Sequence, residues 1–145
     1  MTTEEKELLL KDLSARLPYG VKMLHEGWNY EWDDELSTVE RVVGIDDKFI
    51  YTKVIDTHNG EEYRDDKWPI DTFDDKLFLR PMSSMTEEEK DDFVKFFTTE
   101  GILIQEPYEL TELIDWLNKG MFDYRGLIEK GLAISVTEEN NPYKE

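Results

Sequence analysis

The stretch Leu77–Lys90, LFLRPMSSMTEEEK, constrains this chain most, because an alternating, strand-like half gives way within it to a helical half. Pro81 has no backbone N–H, so a strand at Leu77–Arg80 must stop at it or lie along an edge. Thr86 followed by Glu89 is a capping box: the hydroxyl accepts from the Glu89 N–H, and the carboxylate accepts from the Thr86 N–H. Such a cap stabilises a helix by about 1 kcal/mol. Glu87, Glu88 and Glu89 also place negative charge at the positive end of the helix dipole. A helix starts here, and the residues before it differ in kind.

The residues before this hinge read as one helix and then strands. Thr2 and Thr3 precede Glu4, Glu5 and Glu7, and Leu9 or Leu10, Leu13 and Leu17 recur at helical spacing until Pro18 closes the segment. Gly20–Gly27 alternates Val21, Met23 and His25 with Lys22, Leu24 and Glu26, as a strand does. Trp28, Tyr30 and Trp32 set three aromatics on one side of an extended segment, as core or as a contact surface, and form the candidate partner surface. Asp33, Asp34 and Glu35 read as a loop. Thr38–Ile45 and Lys48–Asp56 form a hairpin around Asp46-Asp47, and the second of these strands is apolar on both faces, which makes it central. Asn59-Gly60 signals a type I′ turn, with positive φ at both residues, into Glu61–Arg64. Trp68-Pro69-Ile70 and Phe73 belong to an irregular or short helical connection, and Leu77–Arg80 completes the sheet by meander logic.

After the hinge, Phe93, Val94, Phe96 and Phe97 give the second helix a wide aromatic face, with Asp91 and Lys95 as an i,i+4 pair. Gly101 suits the left-handed residue past that helix's end, and Ile102–Ile104 is a brief extended run. Pro107 opens a third helix with Leu110, Leu113, Ile114 and Leu117 in register, ending at Gly120. Asp123 caps a short fourth helix, Tyr124–Lys130, which Gly131 stops. Leu132, Ile134 and Val136 alternate as a last strand. The expected fold is α+β: a small, mostly antiparallel sheet of about five strands, preceded by one helix and followed by two to three. It forms a single domain over residues 1–136, with a flexible acidic tail over 137–145.

A chain of 145 residues suits one domain. The absence of cysteine excludes disulfides and thiolate metal sites. No apolar run approaches the length of a membrane span, so a cytoplasmic protein with no membrane partner is expected. Acids outnumber bases 35 to 17, for a net charge of −18. Residues 1–80 and 81–145 each carry −9, so no acidic block is set apart. This charge disfavours direct binding to a nucleic-acid backbone. It fits a highly solvated surface or, alternatively, mimicry of nucleic acid toward a host nucleic-acid-binding or defence protein.

Three phrases, KDLSARLPYGVK (Lys11–Lys22), LRPMSSMTEEEK (Leu79–Lys90) and DWLNKGMFDYRGLIEKGLA (Asp115–Ala133), together resemble a group of short proteins of gut Bacteroidota and their phages or prophages. That group shares an LPYGVK start, a YLRPMSSMTEEE turn and an FDYRGLIEKGLA end. Here Phe78 stands where the group usually has Tyr. The match spans roughly a third of the chain and leaves out Glu26–Lys76, which varies in the group. The resemblance implies an intracellular accessory protein of a phage or mobile element, and it implies no activity, cofactor or site residue.

Catalytic signatures are not present in the sequence. There is no H-E-x-x-H, no glycine-rich phosphate loop and no nucleophile elbow. His25 lies in a strand pattern and His58 beside the Asn59-Gly60 turn, where histidine more often serves structure than catalysis or metal binding. The acidic clusters at Asp33–Glu35, Asp46-Asp47, Asp65-Asp66 and Asp71/Asp74/Asp75 lack the spacing of a calcium loop. No cofactor or metal is expected. Arg80, Asp123, Tyr124 and Arg125, from the shared phrases, either build a contact surface or pair with acids to hold the helical half on the sheet. The expected function is that of a small acidic interaction protein with an unknown protein partner. A carboxylate enzyme ranks lowest.

Overall fold

A computed structural model describes residues 1–29, 34–99, 102–103 and 107–144. Helix α1 (Thr3–Arg16) opens with a capping box in which the Thr2 hydroxyl accepts from Glu5 N–H and the Glu5 carboxylate accepts from Thr2 N–H. Strands β1 (Lys22–Asn29), β2 (Asp34–Ile45), β3 (Phe49–Ile55) and β4 (Glu62–Pro69) run as an antiparallel meander, and β5 (Lys76–Leu79) comes next. Helix α2 (Glu87–Lys95), the short pair β6 (Thr98–Thr99) and β7 (Ile102–Leu103), helix α3 (Pro107–Lys119) and β8 (Ala133–Ser135) complete the order. Among the described residues no helix is long and apolar enough to cross a membrane.

The α+β class and the leading helix agree with the sequence, but the sheet is larger and mixed. Among the described residues six strands join in the order β4-β3-β2-β1-β5-β8, and β8 lies parallel to β5. The meander therefore ends on β4 at the edge of the sheet, and β5 does not add to it. A single 3-10 turn at Ile70–Thr72 buries Ile70 and Phe73 and sends the chain across to the free side of β1. Burial explains the choice. Leu77, Phe78 and Leu79 are all buried, the pattern of a strand covered on both faces, and β5 lies inside the sheet between β1 and β8.

One face of the sheet carries the core. Val21, Met23, Val42, Ile50, Leu77 and Leu79 pack against Leu9 and Leu13 of α1. β3 carries apolar residues on both faces, Ile50 and Val54 buried beside Thr52 on one and Phe49, Tyr51 and Ile55 half-buried on the other, and it lies inside the sheet between β2 and β4. A second cluster joins Met85, Leu113, Leu117 and Phe122, with Phe93, Phe96 and Trp116 against it.

Several local expectations change. β2 begins at Asp34, so Asp34 and Glu35 pair with Asn29 and Trp28 instead of looping. The Asn59-Gly60 turn is wider than a type I′ hairpin: Asp56 N–H bonds Glu61 C=O across four intervening residues, and of the turn residues Gly60 alone has positive φ. Helix α2 stops at Lys95, short of Gly101, which lies outside the described residues. Lys95 pairs at 3.7 Å with Asp92 rather than Asp91. No helix forms at Tyr124–Lys130, where a run of turns passes through Gly126 and Gly131 at positive φ. On α3, Leu113 and Leu117 are buried while Leu110 and Ile114 are exposed.

Helix α3 ends in a Schellman arrangement whose left-handed residue is Met121 (φ 59°), one past the expected glycine. Phe122 N–H bonds Leu117 C=O at 3.0 Å and Met121 N–H bonds Asn118 C=O at 3.1 Å. Gly120 serves close approach instead, since a Cβ there would stand 2.6 Å from the Phe122 ring.

Candidate functional site

Of the residues singled out by sequence, Arg80 has the most complete set of partners. Its guanidinium holds the Glu89 carboxylate through two bonds of 2.8 and 2.7 Å, donates to Ser84 C=O at 3.1 Å, and lies 4.3 Å over the Phe122 ring. Glu89 is thereby shared between Arg80 and the capping box of α2, and Arg80 in particular holds its carboxyl down at about 2. The backbone of Arg80 bonds Met121 and Asp123 at 2.7 and 2.8 Å, which ties the hinge to the end of α3. Asp123 does cap the turns C-terminal to it, accepting from Leu127 N–H at 2.9 Å and Ile128 N–H at 3.0 Å.

Tyr124 and Arg125 join a buried ionic cluster that reading the sequence missed. Asp12 and Arg16, both fully buried on α1, pair through two bonds of 2.8 and 3.0 Å, and Arg16 also donates to Phe122 C=O at 2.6 Å. The guanidinium groups of Arg16 and Arg125 lie over the Tyr124 ring, 5.2 and 5.0 Å from its centroid. Arg125 Nε stands 3.4 Å from Asp12, and the Tyr124 hydroxyl donates to Asn118 at 2.7 Å. The arrangement clasps α1 to the segment after α3. A signal was present: Leu9, Asp12, Leu13 and Arg16 sit at i, i+3, i+4 and i+7, so two charges share the buried stripe.

A second buried acid lies under the sheet. Glu40 of β2 is fully buried and accepts from the hydroxyls of Thr38 (3.0 Å) and Thr52 (2.6 Å) and from Trp68 Nε1–H (3.2 Å). Beside it His25 stacks on Trp68 at 4.1 Å, with its Nδ1 2.9 Å from each Asp75 oxygen. Burial, more than any neighbour, raises the Asp75 pKa, against the pull of His25. The cross-strand register Met23↔Glu40 and Val42↔Thr52 places these polar residues among core positions, and three donors meet the cost of burying Glu40. Glu40 and Asp75 read from sequence only as strand and loop acids.

The opposite, outer face of the sheet is open. Leu24 of β1, Val39 of β2, Ile55 of β3, Phe78 of β5 and Ile134 of β8 floor a groove of about 950 Å³. Its walls are the β3–β4 turn on one side and residues 139–144 on the other, and among the described residues no helix residue lines it. Lys22 and Arg41 rise from the floor. Arg41 donates to Glu62 at 2.6 Å, while burial and the nearby Arg41 lower the Lys22 pKa. The segment read as a tail comes back onto this face: Tyr143 is half-buried against the core, its hydroxyl bonded to Lys22 N–H and Phe78 C=O.

Of the aromatic stripe, Trp28 lies in β1 paired with Glu35, while Tyr30 and Trp32 fall outside the described residues. His58 lies in the β3–β4 turn, where its N–H donates to Asp56 at 2.8 Å. Among the described residues no three of His, Asp and Glu gather in a way that would hold a metal ion. Comparison with known proteins finds no matching family model, no matching curated protein and no matching solved structure.

Proposed function

We propose that the chain is a small acidic binding protein that receives a protein partner on the outer face of its sheet. The observation that supports this most is the groove itself, an apolar floor drawn from five strands with no helix residue among its described lining. The polar side chains best suited to chemistry are used elsewhere: Glu40 is bonded to Thr38, Thr52 and Trp68, Asp12 to Arg16, and Arg80 to Glu89. Each is committed to holding elements together. Mimicry of a nucleic-acid backbone asks for an uninterrupted row of carboxylates. Along β4 the pairs Arg41–Glu62, Lys53–Asp65 and Arg64–Asp66 put cations among the acids, so we favour a protein partner. The cytoplasmic setting in a phage or mobile element rests on the resemblance of the three shared phrases.

The test compares affinity capture by the wild-type chain with capture by the double variant Val39→Glu/Ile55→Glu, both checked for fold by circular dichroism. Loss of the captured partner in the folded double variant supports the reading. A partner retained by that variant and lost instead on Val94→Glu, an exposed position on α2 that is not in the groove's lining, refutes it.

A further inference from the structure

Asn59-Gly60, in the turn between β3 and β4, takes no part in the core or in the groove floor. Both residues are exposed, and both line the wall of the outer-face groove. Gly60 takes φ 73°, and a Cβ there would meet nothing within 4 Å, so nothing crowds the residue. Asn59 Oδ1 accepts from Glu61 N–H at 2.9 Å, and Gly60 N–H donates to Asp56 C=O at 2.7 Å.

The side-chain amide of an asparagine and the backbone nitrogen that follows it can close a cyclic imide, because the reacting atoms already share one short stretch of chain. The next residue's side chain ordinarily hinders that closure, and glycine has none. Two contacts bear on the rate here, in opposite senses. Glu61 N–H lies on Oδ1, the atom that gains negative charge when its carbon is attacked, and so acts as an oxyanion donor does. The bond to Asp56 holds the attacking nitrogen, so the ring closes only when that bond opens. In an exposed turn such opening costs little.

We infer that Asn59 is a site of spontaneous covalent modification, converting through a succinimide to aspartate and isoaspartate. The Gly60 nitrogen bonds to Asn59 Cγ, the Cγ–Nδ2 bond breaks, and the Gly60 amide proton leaves with Nδ2 as ammonia. Water, the one co-reactant, then opens the imide without any change of oxidation state. Cleavage of the new bond to Cγ gives aspartate, and cleavage of the original peptide bond gives isoaspartate. The isoaspartyl chain runs through the former side chain and lengthens a turn that Asp56 N–H closes on Glu61 C=O at 2.8 Å. Either product adds a negative charge to a wall that already holds Asp56 and Glu62. The site stands independently of the binding role read for that face.

The other asparagines lack this combination. Asn141 precedes Pro142, which has no N–H to lose. Asn118 is buried, with its Oδ1 held by the Tyr124 hydroxyl. Asn29 and Asn140 precede Tyr30 and Asn141, whose side chains hinder closure. Asn140 is exposed as Asn59 is, so it serves as an internal control.

The experiment ages the full chain in mildly alkaline buffer and follows each asparagine by peptide-mapping mass spectrometry, with isoaspartate read by isoaspartyl methyltransferase labelling. Modification at Asn59 is expected to run at least about tenfold faster than at Asn140, with isoaspartate among its products. Gly60→Ala is expected to slow it by at least about tenfold. Equal rates at Asn59 and Asn140 overturn the inference, and that comparison needs no variant. Aspartate without isoaspartate, which is direct hydrolysis with no ring, or an unchanged rate in Gly60→Ala overturns it as well.

Discussion

The Tyr143 hydroxyl donates to Phe78 C=O at 2.8 Å and so closes, from the far end of the chain, a gap between two strands at the centre of the sheet. The same oxygen accepts from Lys22 N–H, and burial raises the phenol's pKa. Tyr143→Phe keeps the ring and strips both backbone groups of their partner. Stability is expected to fall by about 2 kcal/mol in urea denaturation, with faster hydrogen exchange at the Lys22 amide.

The ionic clasp between α1 and the segment after α3 makes a sharper prediction. Arg16→Met leaves Asp12 buried with its main partner gone, and is expected to cost about 3–5 kcal/mol. Asp12→Leu/Arg16→Met removes both charges and is expected to cost clearly less than that single change. Denaturation of the three chains measures the difference.

Gly120 tests the α3 terminus. Because a Cβ would stand 2.6 Å from the Phe122 ring, and because that ring stacks on Trp116 at 5.4 Å and under Arg80, the ring cannot yield without moving its neighbours. Gly120→Ala is expected to destabilise by about 1–3 kcal/mol, although alanine favours helices elsewhere. Thermal unfolding reads this directly.

Glu89 sets an acid limit. Its folded pKa of about 2 lies below its ordinary 4.5, chiefly through Arg80. The stability it contributes is therefore complete above pH 4.5 and is lost as pH falls through the folded value. Glu89→Gln is expected to lower stability at pH 7 by about 1–2 kcal/mol. The gap between variant and wild type should narrow as pH drops from 4.5 toward 2, in unfolding curves taken along that range.

Local signals carried the elements well. The capping box at Thr86 and Glu89 formed as written, as did the hairpin around Asp46-Asp47. What the sequence could not convey was long-range order. β5 continues the meander in sequence but joins β1, because its three buried residues need cover on both sides and nothing local encodes that need. Gly120 signalled a stop, yet the left-handed residue is Met121, since the position of Phe122 is a tertiary matter. The site was less legible still. Arg80 and Arg125 were expected to pair with acids, but which acids depends on packing: Glu89 nine residues on, and Asp12 on the first helix. Tyr143 sits in a polar segment without periodicity, and its role depends on a gap between two strands that lie 121 and 65 residues earlier in the chain.

Photo-crosslinking tests the central claim most directly, with a photoreactive residue placed at Ile55 on the groove floor or at exposed Val94 on α2. The account predicts partner crosslinks from position 55 and none above background from position 94. Crosslinks from position 94 with none from position 55 would contradict it.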